Sequence, residues 1–182
     1  MAKVFEGIDP KLAGFIESQP VFFVATAPLA ANAHLNLSPK GHNHVAVIDE
    51  RTVAYLDLTG SGVETIAHLR ENGRIVVMFC AFEGPPRIVR IHGRGLVLEK
   101  GTGEFDALAG RFPDHPSARA IIKVDVARVS DSCGYGVPLM TYDRERTQMD
   151  DWAEHKGPEG IAEYQATRNV ASIDGLPGLT TD

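Results

Sequence analysis

A short stretch rich in glycine and hydroxyl side chains, Thr59-Gly60-Ser61-Gly62, lies between an apolar segment and a helical pattern, with Thr65 just inside that pattern. The backbone N–H groups of a helix N-terminus, together with hydroxyl donors, form a natural site for an anion. The helix dipole favours negative charge at the same place. The stretch therefore predicts a phosphate-binding loop, although a plain capped turn uses the same residue types. Its spacing matches neither the GxGxxG fingerprint nor a Walker A motif.

Two groups of basic side chains could supply positive charge to such an anion. Lys40, in the stretch NLSPKG, could stand beside a phosphate or an anionic ring, and a solvated lysine at a strand end is the alternative. On an extended strand, Arg90, His92 and Arg94 would share one face. That face could meet an anionic ligand or could form ion pairs on the outside of a barrel.

Other catalytic and metal-binding patterns are weak in this sequence. His42 and His44 lie in an HNH stretch without a cysteine or carboxylate partner nearby, so we expect no metal site. The GxSxG elbow of a serine hydrolase is missing, and Cys133 has no base close to it in sequence. Cys80 and Cys133 are predicted to be buried thiols of a protein in the reducing cytoplasm.

The charge and hydropathy of the chain limit its partners. The 182 residues carry a formal net charge of -6, so phosphate-rich partners such as nucleic acid and anionic membranes would be repelled. We find neither a signal peptide nor an apolar run of the roughly 20 residues that a membrane span needs. We therefore expect a cytoplasmic protein that binds a small molecule.

The hydrophobic periodicity predicts a mainly β protein with six or seven strands and a few peripheral helices. The predicted strands cover residues 21–27, 34–41, 44–49, 52–58, 74–82, 87–100 and 118–136. The predicted helices cover residues 8–18, 65–72, 103–112 and two short segments within 149–169 that are separated at Gly157-Pro158. Gly93 and Gly95 predict a bulge or bend in the long strand that contains them.

Many short strands with few helices indicate a β-barrel rather than a parallel sheet. We predict that the barrel occupies residues 1–136. A helical C-terminal extension over residues 137–182 is expected to pack on the barrel or on a dimer interface. The last ten residues, 173–182, are expected to be loosely held.

The order of several sequence blocks resembles a known family. FFVATA, NLSPKG, VAYLDLTGSGVETIAHLRENGRIVVMFCAF and RIVRIHGRG, taken in this order, resemble the pyridoxamine 5'-phosphate oxidase-like family of FMN-binding split barrels. The resemblance runs from about Val21 to about Val129, and the ordered set is more specific than any single block. The tail, with SCGYGVPLM, DDWAEHKG and SIDGLPGL, is similar to a bacterial subgroup related to that oxidase.

This resemblance implies a split barrel that forms a homodimer, with FMN bound at sites built from both subunits. One strand would lie along the flavin ring, and a strand end with the following loop would contact the ribityl chain and phosphate. The partner subunit would add basic groups and a C-terminal aromatic side chain. The implied cofactor-binding residues are Asn36, Leu37, Ser38, Pro39, Lys40, Leu56, Asp57, Thr59, Gly60, Ser61, Gly62 and Thr65, with Arg87, Arg90 and Trp152 from the partner.

Two departures from the oxidase pattern shape the functional expectation. True pyridoxamine phosphate oxidases carry an Arg-Lys pair for the FMN phosphate where this chain has Glu64 and Thr65, and their C-terminal Arg-x-His motif is missing here. We therefore expect an FMN-dependent oxidoreductase with another substrate and without a classical acid–base residue. The alternatives are a flavin-binding or flavin-sequestering protein without turnover, or a barrel that takes a deazaflavin coenzyme or haem.

Overall fold

The computed structural model describes residues 3–42 and 44–180, which form one antiparallel sheet and four helices. The elements in chain order are β1 (Lys3–Phe5), α1 (Pro10–Glu17), β2 (Phe22–Thr26), β3 (Asn36–Lys40), β4 (Val45–Asp49), β5 (Thr52–Leu58), α2 (Glu64–Asn72), β6 (Arg74–Cys80), β7 (Ile88–Glu99), α3 (Gly103–Ala109), β8 (Ala118–Ser132) and α4 (Gln148–Arg168). In these residues no helix is both long and apolar enough to cross a bilayer.

The sheet closes into the split β-barrel that the sequence predicts. Its strand order is β3-β2-β6-β7-β8-β5-β4, and the short β1 pairs with the C-terminal part of β8. The long strands β7 and β8 pair along most of their length and connect the two halves of this order, β3-β2-β6 and β5-β4. The described residues therefore form eight strands rather than six or seven, because β1 has only three residues and no detectable period of two.

The barrel interior is filled by side chains from alternate positions of the strands. Phe22 of β2 packs edge-on against Tyr55 of β5 at a ring-centroid distance of 5.5 Å and stacks on Phe79 of β6 at 5.6 Å. All three side chains are fully buried. Burial of a large apolar side chain contributes roughly 1.5–3 kcal/mol, so this cluster is a major source of the barrel's stability.

The predicted irregularity in the long strand β7 is present at Gly93. The pairing of β7 with β8 shifts by one residue between His92 and Gly93. A Cβ atom at Gly93 would overlap the carbonyl oxygen of Asp125 on β8. The bulge therefore needs a residue without a side chain at Gly93, where the backbone of β8 lies close to β7.

Local signals also position the helices next to the barrel. The side chain of Asp9 accepts a hydrogen bond from the Leu12 N–H (2.7 Å) and caps α1, whose first residue is Pro10, as predicted. The helix α2 ends at Gly73, which has a φ of 70° and takes the left-handed conformation of a helix C-terminus. At its other end, α2 begins at Glu64, a short loop after β5 ends at Leu58.

The C-terminal segment folds back onto the barrel. The helix α4 is interrupted at Gly157, where φ is 64° and ψ is 172°, and Pro158 follows, as the sequence predicts. The expectation of a loose end is wrong for residues 173–180. Leu179 packs against the core, and its N–H donates to the Asn169 carbonyl (2.8 Å). Asn169 is itself fully buried, so the tail is fixed by contacts that a local sequence pattern does not reveal.

Candidate functional site

A cavity of about 340 Å³, called here the anion cavity, opens where the loop after β5 meets the first turn of α2. Its other walls are β3 and the start of β8. The lining residues are Asn36, Ser38, Pro39, Lys40, Leu58, Gly60, Ser61, Gly62, Glu64, Thr65 and Arg119. All of these except Leu58, Glu64 and Arg119 belong to the set predicted from the sequence.

A buried carboxylate holds two cations at the floor of the anion cavity. Asp57 is fully buried and accepts hydrogen bonds from the Lys40 Nζ (2.6 Å) and from the Arg119 Nε (2.8 Å). Burial raises the pKa of Asp57, but Lys40 and Arg119 more than offset burial and bring the pKa from 3.8 down to about 2. Asp57 is therefore ionised at neutral pH and fixes both cations in place.

A hydrogen-bond network orders the polar wall formed by β3. The Asn36 Nδ2 donates to the Thr65 Oγ1 (2.9 Å) and to the Thr26 Oγ1 (3.2 Å), while the Ser38 hydroxyl donates to the Asn36 Oδ1 (2.9 Å). Thr26 also contacts the Nδ1 of the buried His68 at 2.9 Å. The network holds the Asn36 amide in one orientation and ties β3 to the first turn of α2.

Glu64 places a second negative charge at the anion cavity. It is the first residue of α2, and its carboxylate curls over Gly62. Its Oε1 also accepts a hydrogen bond from the Ile173 N–H of the C-terminal tail (3.2 Å). Glu64 lines the same cavity as Lys40 and Arg119, and with Asp57 the formal charges of these four groups sum to zero.

The remaining predicted residues lie outside the anion cavity. The Leu37 side chain is 68% exposed, whereas Leu56 is buried in the smaller core cluster. Thr59 is buried, and its hydroxyl donates to the Ser117 carbonyl (2.8 Å). Arg87 and Arg90 bind other side chains, away from this cavity.

Arg87 and Arg90 belong to the far end of the pairing between β7 and β8. Arg87 forms an ion pair with Asp131 at 3.0 Å, and the Arg90 Nη1 donates to the Ser132 hydroxyl at 3.1 Å. Within one chain they therefore do not meet the residues of the anion cavity. A role for them at a cofactor would require a second subunit.

Trp152 lines a second cavity of about 300 Å³, called here the aromatic cavity, on the other side of the loop after β5. Its ring meets that of Tyr164 at a centroid distance of 5.3 Å and an interplanar angle of 79°. The lining residues are Thr59, Gly60, Ser61, Gln148, Met149, Trp152 and Tyr164. Gly60 and Ser61 therefore belong to both cavities.

Three residues that sequence analysis missed shape the site. Arg119 is a buried cation in the otherwise apolar start of β8. A buried charge in an apolar strand needs a partner of opposite charge, so the sequence could have indicated that Arg119 pairs with a carboxylate. The Gln165 Nε2 donates to the Thr59 hydroxyl (2.7 Å), and the Asn169 Nδ2 donates to the Gly60 carbonyl (2.9 Å). The two amides are about a hundred residues away from the loop, so no local pattern indicates them.

A cluster of histidines lies beside the barrel, near the start of α4. The His44 ring stacks near His42 (5.7 Å between centroids) and meets His115 edge-on (5.9 Å), and the His115 Nε2 lies 2.9 Å from Asp150. Over residues 3–42 and 44–180, no three or more histidine, cysteine or acidic side chains are grouped to hold a metal ion. The pKa of His44 is lowered from 6.5 to about 4, mainly by burial and secondly by electrostatic repulsion from His42 and His115.

The low pKa of His44 predicts an acid-dependent loss of stability. Below pH 6.5 the unfolded chain takes up a proton at His44 while the folded chain stays neutral down to about pH 4. The free energy of unfolding should therefore fall by about 2 kcal/mol more in the native protein than in His44→Asn between these pH values. Urea denaturation at pH 7, 5.5 and 4.5 measures this difference. His155→Asn, at an exposed position, should follow the native profile; equal slopes for all three proteins would contradict the prediction.

Of the two thiols, Cys80 is buried as predicted, but Cys133 is exposed, so its predicted burial is wrong. Cys133 follows directly after β8, where the chain leaves the sheet.

Comparisons with known proteins agree with this architecture. The sequence model for pyridoxamine 5'-phosphate oxidase matches residues 8–133. The protein ustO of Aspergillus flavus, a pyridoxamine 5'-phosphate oxidase family protein, is 41% identical over 192 residues, which cover 96% of this chain and 77% of ustO.

Solved structures share the fold at low sequence identity. HupZ of Group A Streptococcus superposes with a TM-score of 0.51 at 23% identity, over 67% of this chain and 91% of HupZ. A proposed pyridoxamine 5'-phosphate oxidase from Lactobacillus delbrueckii superposes with a TM-score of 0.52 at 17% identity, over 70% of this chain and 98% of the other. The fold, the matched residues and the identity to ustO lead to one assignment: the chain belongs to the pyridoxamine 5'-phosphate oxidase family.

Proposed function

We propose that the protein is an FMN-dependent oxidoreductase of the cytoplasm. The observation that carries this proposal is the anion cavity, which brings a lysine, an arginine, three hydroxyl side chains and the glycine-rich loop together at the N-terminus of α2. A phosphate in such a cavity would receive hydrogen bonds from hydroxyls and backbone N–H groups and would meet the positive end of the helix dipole. Membership of the family supports a flavin as the phosphorylated ligand.

The residues of this chain would bind and orient the flavin. Ser61 and Thr65 would hold its phosphate, with Lys40 and Arg119 supplying positive charge. Asn36 and Ser38 on β3 would face the ribityl chain and the ring, in the orientation fixed by their hydrogen-bond network. The flavin itself supplies the redox chemistry when it is bound, so the site needs no classical acid–base residue.

We further propose that the protein is a homodimer and that the second subunit completes the flavin site. Large apolar residues are exposed directly before β3, on β3 and after β8: Leu35 (80%), Leu37 (68%), Tyr135 (82%) and Leu139 (79%). Exposed apolar surface of this kind is typical of an interface with another protein. Leu37 belongs to the strand that lines the anion cavity, so a dimer that covers it would bring partner residues such as Arg87 and Arg90 towards the flavin.

Cofactor binding and turnover are tested separately. The purified protein should be yellow or should become yellow with FMN, and analytical ultracentrifugation should give twice the mass of one chain. Anaerobic mixing of the FMN complex with NADH or NADPH should reduce the flavin, whereas binding without reduction by either donor would favour a sequestering protein. A colourless protein that ignores FMN would refute the proposal. Native mass spectrometry of the protein from its own host would then show whether a deazaflavin coenzyme or haem takes its place.

Replacing Lys40 with methionine tests the electrostatic role of the anion cavity. A hydrogen bond to a charged group contributes roughly 1.5–3 kcal/mol, so the dissociation constant for FMN should rise about tenfold or more. Calorimetric titration with FMN measures the change. Lys123→Met is the matched control, because Lys123 pairs with the exposed Asp125 at 3.4 Å and lies outside the cavity. A Lys40→Met protein with native affinity for FMN would show that the phosphate binds elsewhere.

A further inference from the structure

Three basic side chains, Arg90, His92 and Arg128, form a cluster on the outside of the barrel, called here the basic face. His92 of β7 pairs in register with Arg128 of β8, and Arg90 pairs with Ser130, so these side chains lie on one face of the sheet. The residues between them are buried in the barrel core, so the basic face points outward. Arg94, which the sequence predicted on the same face, lies beyond the bulge in β7 and opposite an aspartate.

The positive charges of the basic face are not neutralised by carboxylates. Within residues 3–42 and 44–180, none of its three side chains forms an ion pair, although acidic residues outnumber lysine and arginine by 24 to 18. Partial burial, followed by repulsion from Arg128 and Arg90, lowers the pKa of His92, because both guanidinium groups disfavour a third positive charge beside them. An anion bound among the three groups would relieve this repulsion.

Two serine hydroxyls orient the guanidinium groups without changing their charge. The Arg90 Nη1 donates to the Ser132 hydroxyl (3.1 Å), and the Arg128 Nη1 donates to the Ser130 hydroxyl (2.8 Å). A guanidinium group carries five N–H groups in a planar fork, and each serine occupies one of them. A carboxylate is planar and accepts two parallel hydrogen bonds from such a fork, so it suits the basic face.

An apolar strip borders the basic face on the side of β6. Met78 pairs in register with Arg90, and Val76 pairs with His92; both apolar side chains are half-buried. Neighbouring strands lie about 5 Å apart, so a ligand held by its carboxylate at the arginines would reach this strip with the atoms next to that group. A thioether packs well against an aromatic ring, and a guanidinium group stacks on one.

We propose that the basic face and the adjoining strip bind a small aromatic carboxylate. The carboxylate would lie between Arg90 and Arg128, and the ring would pack on Met78. This inference goes beyond the proposed flavin site, because none of these residues lines the anion cavity of the same chain.

NMR titration of the protein with benzoate tests the proposal, with neutral benzamide and with acetate as comparisons. Benzoate should shift the His92 resonances, which His92→Gln identifies. It should also raise the pKa of His92, because an anion beside an imidazole favours its charged form. Benzamide should cause no such rise. Acetate should bind about fivefold more weakly than benzoate, because it lacks the ring that packs on Met78.

Variants separate the contributions of charge and ring. Arg128→Gln should weaken the affinity for benzoate about fivefold and leave the dissociation constant for FMN unchanged. Arg51→Gln, in the turn between β4 and β5, is the matched control and should bind benzoate as the native protein does. Met78→Ala should lower the affinity for benzoate towards that for acetate.

Four results would overturn the proposal. Benzoate could affect His92 no more than benzamide does, as it would if a second copy of the chain covered the basic face. Benzoate could bind equally to the native protein and to Arg128→Gln, or Arg128→Gln could lose its affinity for FMN, which would assign Arg128 to the flavin site. Inorganic phosphate that binds as tightly as benzoate would make the face a general anion site. If benzoate binds as expected but FMN does not bind, the proposed function fails and this site stands.

Discussion

Replacing Asp57 with asparagine is expected to lower the free energy of unfolding by about 3 kcal/mol, the usual cost of breaking a buried ion pair by removing one partner. The Asp57 side chain is fully buried between the Lys40 Nζ and the Arg119 Nε. Without its carboxylate, the two cations would face each other inside the protein, and the Arg119 side chain is itself only 4% exposed. The asparagine keeps the shape of the side chain, so the loss would report charge rather than packing.

Urea denaturation and thermal melting measure this effect. For a chain of this size, a loss of about 3 kcal/mol corresponds to a fall in Tm of roughly 6–12 °C. The control is Asp125→Asn, which removes an exposed carboxylate 3.4 Å from Lys123 and should cost less than about 1 kcal/mol. Equal losses in the two variants would mean that Asp57 does not hold the cations of the anion cavity.

The Asp57 variant should also change the response to acid. The pKa of Asp57 is lowered from 3.8 to about 2 in the folded protein, so its stabilising contribution is complete above pH 3.8 and is lost as the pH falls towards 2. The native protein should therefore lose stability over this interval more steeply than Asp57→Asn. His44 acts at higher pH, between about 4 and 6.5, and the two contributions are measured in separate intervals.

The parts of the fold that sequence analysis predicted are those specified by nearby residues. Short apolar runs and alternating segments placed β2 to β8, Asp9 and Pro10 placed the start of α1, and Gly73 placed the end of α2. Each of these signals acts within a few residues of the chain. The short β1 was missed because its pairing with Ser130 and its neighbours is set by the other end of the chain.

The candidate site likewise has a part that nearby residues specify and a part that depends on distant contacts. The loop of residues 59–62 and the polar strand β3 carry recognisable residue types, and both line the anion cavity. Arg119 reaches the same cavity only because Leu58 pairs with Ala118 across the sheet. The amides of the C-terminal segment that hold the loop depend on how the tail folds back, which involves contacts between residues about a hundred positions apart. Predicting them requires the complete topology rather than a pattern of residue types.

The docking of this tail depends on a glycine where the chain passes close to the barrel. A Cβ atom at Gly178 would overlap the carbonyl oxygen of Asn169 and would lie 2.8 Å from the Val63 Cγ1. Neither neighbour can move easily, because Asn169 and Val63 are fully buried. The Gly178 N–H also donates to the Val170 carbonyl at 2.8 Å, so the backbone is held at this distance.

Gly178→Val should therefore release the tail while leaving the barrel folded. The valine side chain would destabilise the docked tail by about 3 kcal/mol through overpacking, and this would raise the population of the undocked tail about 100-fold. Trypsin cleavage after Arg168, next to the buried Asn169, should accelerate by a similar factor when opening is fast relative to cleavage. Gly136→Val is the matched control, since a Cβ atom there has no neighbour within 4 Å, and it should be cleaved at the native rate.

If cleavage of Gly178→Val is as slow as that of the control, the tail is not held by this close approach. If the barrel unfolds at the same urea concentration as the tail opens, the tail is an integral part of the core rather than a separately docked segment.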